Sequence, residues 1–261
     1  MRLVLDAGHG YSTSGKRTPD GMKEYEFNRV VAQYTREELL RFQDVEVLFT
    51  HSDDRDVPLQ ERTDRANAWG AQAFVSIHAN AFGNGGWNTA QGIETYTPIV
   101  PSQNSDRLAN LVHRRLIQAT GRRDRGIKSA DFYVLRETTM ASILCECGFM
   151  TYYPEAQLLK TDSYRRTCAL AIAGGLVEYF NLKLLPTSPS TRIYKVQVGA
   201  FRAKENADSL AAELNTKGFN TFVFKEENLY KVQVGAFSEK ENADSFAETI
   251  RPQGYSVFIS T

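Results

Sequence analysis

Two of the four histidines stand directly behind apolar, strand-like runs: His9 after RLVLDAG and His78 after AFVSI. A residue just past such a run sits at the rim of a sheet. Imidazole is the commonest metal ligand, so two imidazoles on one rim could supply half of a zinc site. A third donor would come from a carboxylate, and Asp6, Glu24, Glu26, Glu94 and Glu146 are the candidates. Glu24 and Glu26 fall at the start of a helical pattern, where the dipole stabilises a carboxylate without any metal. Glu146 lies inside SILCECGFM, so apolar that its carboxylate must be ligated, at a strand end, or paired with an arginine such as Arg136. A desolvated carboxylate beside a metal-activated water suits general-base work. His51, in the charged stretch HSDDRD, and His113, in the helical stretch LANLVHRRLIQ, lack that setting and read as structural or solvated. Cys145 and Cys147 flank Glu146 and point to the opposite face of the strand, so they read as core thiols, as does Cys168 in its apolar helix.

The elements that must position these groups alternate. RLVLD precedes EFNRVVAQYTREELLRF, VEVLFT precedes LQERTDRANAWG, and FVSIHAN and ASILCECGF are followed by the helix SYRRTCALAIAGGLVEYF. This order predicts an α/β domain over residues 1–183, a mostly parallel sheet with helices on both faces. In such sheets reactive side chains gather at the carboxyl ends of the strands. Residues 184–191, LLPTSPST, have little to bury and read as a linker.

Residues 192–261 hold an internal repeat. YKVQVGAFRAKENADSLA at 194–211 returns at 230–247 with 15 of 18 positions identical, an offset of 36. Each unit reads strand, helix, strand, which predicts a ferredoxin-like βαββαβ domain. Val196 and Val198 share the face toward the helices, leaving Lys195 and Gln197 on the open face, with Lys231 and Gln233 equivalent. The two first strands are central neighbours in that arrangement, so Gln197 and Gln233 should lie together, and amides both donate to and accept from sugar hydroxyls.

Composition excludes several classes. The 261 residues carry 31 Lys+Arg against 31 Asp+Glu, and residues 192–261 balance at 9 and 9, which argues against a nucleic-acid partner. An RNA-binding use of the repeat would also need aromatic platforms on a basic face. No apolar run approaches the ~20 residues of a membrane span. Three cysteines fit folding in a reducing compartment, and MRLVLDAGHG shows no secretory leader, so synthesis in the cytosol without a signal peptide is expected.

DAGHG at 6–10, GMKEYEFN at 21–28, LQERTDRAN at 59–67, FVSIHANA at 74–81, GIETY at 92–96, RGIKSADFYVLRET at 125–138 and LCECGFM at 144–150 together form a recognisable set. With them the chain resembles the zinc-dependent N-acetylmuramoyl-L-alanine amidases of bacterial cell-wall lysis, the sporulation-associated amidases of Bacillus especially. The resemblance implies Zn2+ held by His9, Glu24 and His78, with Glu146 as the catalytic carboxylate. It selects Glu24 over Glu26 because the family's ligand stands three residues after the glycine that opens its segment. Two departures are the Ala of DAGHG, where proline is usual, and the cysteines flanking Glu146. Arg62 and Asn80 match family positions without an assigned role. The repeat resembles the sporulation-related (SPOR) module, which implies binding to glycan strands stripped of stem peptides, through Gln197 and Gln233.

The expected reaction is therefore hydrolysis of the amide between N-acetylmuramic acid and L-alanine, by a monomer acting on peptidoglycan after release, in mother-cell or phage lysis. A zinc peptidase or carboxypeptidase cutting the stem peptide, and a wall-binding protein without activity, are the alternatives.

Overall fold

The computed structural model describes residues 1–13, 15–186 and 193–261. The chain divides into two compact units, Met1–Leu185 and Pro186–Thr261.

The first unit runs β1 (Arg2–Ala7), α1 (Glu24–Leu39), β2 (Glu46–Phe49), α2 (Leu59–Ala68), β3 (Ala73–Asn80), β4 (Ile93–Pro98), α3 (Gln103–Thr120), β5 (Asp124–Ala130), α4 (Tyr133–Arg136), β6 (Ala141–Phe149), α5 (Tyr153–Leu159) and α6 (Asp162–Phe180). The described strands form one sheet in the order β2-β1-β3-β6-β4-β5. All neighbours run parallel except β4 and β6, which are antiparallel. This is the mostly parallel α/β sheet expected from the alternation. Strands β4 and β5 were not singled out by the apolar pattern. IETYTP alternates apolar with polar residues only weakly, and DRGIKSA at the sheet edge has almost nothing apolar to read.

Strand period and helix period meet in two cores. Leu3 and Leu5 of β1 face one side with Val31, Ala32 and Leu39 of α1, Leu108 and Val112 of α3 and Ile172 of α6. Val4 faces the other, with Ala66 of α2 and Val134 and Leu135 of α4. Buried Asn28, Val31, Ala32, Thr35 and Leu39 form the 3-4 stripe that seats α1 on the sheet. The ends of α3 are built locally. The Ser102 hydroxyl accepts from the Ser105 amide, and Gly121 closes the helix at φ 61°. Cys145, Cys147 and Cys168 are all buried in the larger core, as expected.

At the end of this unit Leu184 bridges to Phe42, and the Leu185 amide donates to the Arg41 carbonyl. Of the linker expected at 184–191, these two residues are thus tied to the first unit, and residues 187–191 lie outside the described residues.

The second unit runs β7 (Tyr194–Phe201), α7 (Lys204–Thr216), β8 (Phe222–Glu226), β9 (Leu229–Phe237), α8 (Lys240–Ile250), a short 3-10 turn (Arg251–Gln253) and β10 (Phe258–Ser260). Its antiparallel sheet has the order β10-β7-β9-β8, the ferredoxin-like arrangement, with the repeated strands β7 and β9 in the centre. Val196 and Val198 pack into the helix-covered core, and Gln197 pairs in register with Gln233. Gln197 stands on the face opposite Val196 and Val198, but it is not open to solvent there. It is only 6% exposed, because β10 adds on its outer side, where Phe258 is its register partner and the Ser260 hydroxyl accepts from its amide at 3.1 Å. Gln233, in the strand away from β10, is half-buried.

Among the described residues no helix is long and apolar enough to cross a membrane.

Candidate metal centre

Three side chains converge at the carboxyl ends of β1 and β3 and the start of α1. Glu24 opens α1 and is 3% exposed. Its Oε1 lies 2.8 Å from His78 Nδ1 and its Oε2 lies 3.2 Å from His9 Nε2. One ligand atom from each of the three residues lies within 4.8 Å of the other two. Ligands about 2.0–2.1 Å from a tetrahedral zinc are about 3.3 Å apart, so the spacing suits one ion. The donor set of two imidazoles and one carboxylate is that of an open zinc site with a position left for water.

The backbone makes room for this approach. A Cβ on Gly8 would sit 2.0 Å from the His78 ring, and one on Gly15, whose φ is +67°, would sit 2.5 Å from His9 and 2.6 Å from Glu24. His9 itself takes φ 67°, a conformation that a side-chain-bearing residue holds only where its surroundings impose it. The Lys16 amide donates to Glu24 Oε2 at 3.0 Å.

Electrostatics follow from these contacts. Burial pushes the Glu24 carboxyl up, but hydrogen bonds and charge from His78 and His9 outweigh it and hold the carboxyl well below its ordinary range. Burial lowers the His9 imidazole, and Glu24 more than reverses this, so His9 ends above its usual value.

Glu146 enters from β6, where it is the register partner of His78. Its Oε2 is out of reach of solvent and has no hydrogen-bond partner among the described residues. Burial raises its carboxyl well above the ordinary range, and the charges of Glu24 and Glu94 add to the shift. The arginine that could have neutralised it is engaged elsewhere, since Arg136 pairs with Asp131 and Glu137. A cleft of about 710 Å³ opens above these groups, with His9, Glu24, His78, Asn80, Tyr133 and Glu146 in its wall.

The other carboxylate candidates are spent on structure. Glu26 accepts from the Lys23 amide at 3.2 Å and caps α1. Glu94 is buried and takes Lys128, Arg125, Tyr96 and Asn80. Asp6 is 1% exposed and takes Arg62 Nη1 at 2.8 Å, the Thr50 hydroxyl at 2.6 Å and the Ser76 hydroxyl at 2.7 Å. His51 accepts from the Ala7 amide at 3.1 Å, burial pushing its imidazole down to about 4, and His113 bridges Thr95 and Asp124. Sequence reasoning left Arg62 without a role and passed over Ser76. The available signal was period: Ser76 stands two before His78 on a strand, so both share a face.

Residues 3–178 match the family described as N-acetylmuramoyl-L-alanine amidase, and residues 190–261 match the SPOR domain. The chain is 38% identical over 229 residues to the N-acetylmuramoyl-L-alanine amidase CwlM of Bacillus licheniformis, covering 87% of this chain and 86% of that one. It is also 38% identical over 228 residues to the sporulation-specific N-acetylmuramoyl-L-alanine amidase of Bacillus subtilis (strain 168), with the same coverage of 87% and 86%. The catalytic domain of CwlV from Bacillus (Paenibacillus) polymyxa var. colistinus superposes with a TM-score of 0.65 at 36% identity, over 70% of this chain and 99% of that one. The chain therefore belongs to the N-acetylmuramoyl-L-alanine amidase family and carries a C-terminal SPOR domain.

Proposed function

We propose that this chain hydrolyses the amide between N-acetylmuramic acid and L-alanine in peptidoglycan, with His9, Glu24 and His78 as zinc ligands and Glu146 as the proton-transferring carboxylate. The convergence of the two imidazoles on Glu24 beside an unpartnered buried Glu146 oxygen carries the reading. Bound there, zinc would acidify a water molecule and polarise the lactyl carbonyl.

The rest is work for the chain's own groups. Among the described residues Glu146 Oε2 has no competing donor, so it is free to take a proton from the attacking water. The same carboxyl then returns that proton to the departing L-alanine nitrogen, which leaves poorly as an anion. Glu24 stays ionised between two imidazoles and remains a ligand rather than an acid. The cleft wall beside His78 and Glu146 includes Phe132, Tyr133 and Val134, an apolar flank that limits water around the reacting amide.

The SPOR unit would hold the enzyme on glycan strands, with Gln197 and Gln233 among its contacts. The proposed place of action is the wall, reached from the cytosol in mother-cell or phage-type lysis. The deciding experiment measures zinc content together with the products of wall digestion. New L-alanine amino termini with intact muramic acid glycans are expected, whereas new termini within the stem peptide would favour the peptidase reading.

A further inference from the structure

The two imidazoles of the site are tied to one buried ion pair. Arg62, on α2, is 2% exposed. Its Nη1 donates to Asp6 Oδ1 at 2.8 Å and to the Ala7 carbonyl at 2.6 Å, its Nε donates to the Val57 carbonyl at 2.9 Å, and its Nη2 donates to the carbonyl of His9. The last contact grips the residue whose backbone stands at φ 67°. Strain of that kind persists only where several contacts impose it.

The other imidazole is reached through a hydroxyl. Asp6 and Ser76 are register partners on β1 and β3, and the Ser76 hydroxyl donates to Asp6 Oδ2 at 2.7 Å. The same oxygen lies 3.0 Å from His78 Nε2. A serine hydroxyl has one proton, and an ionised carboxylate can only accept. With that proton committed to Asp6, the Ser76 oxygen can only accept from His78, which places a proton on Nε2. The Nδ1 of His78 is then the atom turned toward Glu24, 2.8 Å away.

We propose that the buried Arg62–Asp6 pair is the positioning device of the metal centre: Arg62 clamps the backbone of His9, and Asp6, through Ser76, holds His78 with Nε2 protonated and Nδ1 presented as the ligand atom. Arg62, Asp6 and Ser76 are positioning residues that act through the histidines. The inference rests on the ligand assignment proposed above. A ligand histidine donates its second N–H to a fixed acceptor as a rule, and loss of that acceptor typically weakens metal binding 10- to 100-fold.

Thr50 supplies an internal control. It is fully buried and donates to the same carboxylate, at Oδ1, but has no link to His78. The test compares wild type, Ser76→Ala and Thr50→Val as full chains. It measures zinc affinity by chelator competition, thermal unfolding of the metal-free proteins, and histidine ring 15N NMR of the zinc-loaded proteins. Expected are zinc binding weakened roughly 10- to 100-fold in Ser76→Ala alone, metal-free stability lowered in both variants, and a hydrogen-bonded Nε2–H of His78 in wild type that is perturbed only by Ser76→Ala. Unchanged zinc affinity in Ser76→Ala, or equal losses in both variants, would overturn the positioning role while leaving the ligands standing. A wild-type chain that binds no zinc would overturn the ligand assignment and this inference with it.

Discussion

Glu94 and Glu146 are register partners across β4 and β6, the antiparallel pair among the described strands of the first sheet. Antiparallel partners share a face, so two carboxylates stand side by side. One is saturated by Lys128, Arg125, Tyr96 and Asn80, and the other has an oxygen with no partner among the described residues. Neighbouring strands thus present one acid fully engaged by cations and hydrogen bonds and one with a free oxygen among the described residues, the group proposed above to move the proton.

Glu146 therefore gives the metal-free chain a pH signature. Burial raises its carboxyl in the folded state, with Glu24 and Glu94 adding to the shift, while in the unfolded chain it titrates near ~4.3. A raised acid binds its proton more tightly folded than unfolded. Its contribution is fully present below the unfolded value and is lost as pH rises through the folded one. Metal-free Glu146→Gln should match wild type in melting temperature under acid conditions and exceed it increasingly as pH rises. A difference that stays constant across the range would contradict this.

Glu146→Gln and His78→Ala should separate chemistry from metal binding. The glutamine keeps shape but cannot take a proton, so turnover on purified wall should fall on the order of 10²- to 10⁴-fold with zinc retained. His78→Ala removes a proposed ligand, and both zinc and turnover should be lost. Wall lysis at the wild-type rate by Glu146→Gln would remove that residue from the reaction.

Gly8 shows how little space the site has. A methyl group there would overlap the His78 ring at 2.0 Å, so Gly8→Ala must rotate or push the imidazole away from Glu24. Misplacing a reacting or ligating group by ~1 Å costs on the order of 100-fold in rate. Gly8→Ala should lose about that much kcat/KM and bind zinc more weakly, while its far-UV circular dichroism stays native. Normal zinc affinity would show that the loop yields instead of the ring.

Much of the candidate site was legible because a few residues break the pattern around them. His9 and His78 follow apolar strand runs, and Glu146 interrupts one. Glu24 and Glu26 could not be separated by pattern, since both carboxylates sit in the first turn of one helix. What divides them is direction: Glu24 turns to the histidines, and Glu26 turns back to the Lys23 amide. Arg62 was opaque for a related reason. Its role depends on parallel register between β1 and β3, which brings Asp6 beside Ser76 across 70 residues of chain. Strand β5 was hidden because edge strands need little apolar surface, and the burial of Gln197 because β10 adds beside it.

Removing the arginine of the buried pair should cost more than any surface charge. Burial works to raise the Asp6 carboxyl, but Arg62 and the Thr50 and Ser76 hydroxyls hold it below its usual range. Arg62→Leu leaves that charge buried without its cation, and breaking such a pair costs about 3–5 kcal/mol. Urea unfolding at neutral pH should show a loss of that size. Wild-type stability falls as pH drops through the depressed Asp6 value, whereas in Arg62→Leu the acid can protonate, so the gap should narrow under acid conditions. A loss below about 1 kcal/mol, the scale of exposed pairs, would mean that Asp6 is solvated or already neutral.

The second unit presents a row of four side chains across its sheet, a surface on which the proposed glycan contact can be tested. Phe258, Gln197, Gln233 and Phe222 are successive register partners across β10, β7, β9 and β8. Register partners share a face, and the two rings at the ends are 66% and 63% exposed, so the row lies on the face away from the helices. Strands are spaced ~4.8 Å apart, which makes the row about 14 Å long. Exposed rings offer flat apolar faces to the C–H faces of sugars, and Gln233 can donate to and accept from hydroxyls and acetamido groups. Gln197 has the same chemistry and gives one N–H to Ser260, which leaves its second N–H and its oxygen for a ligand. In a Glu146→Gln background, which binds without cutting, Gln233→Ala should weaken binding to peptide-stripped glycans roughly 2- to 10-fold, the worth of one net hydrogen bond. Phe222→Ala with Phe258→Ala should weaken it further, with the melting temperature of the second unit unchanged because both rings are exposed. Binding indifferent to all three substitutions would move the glycan contact to another face of the unit.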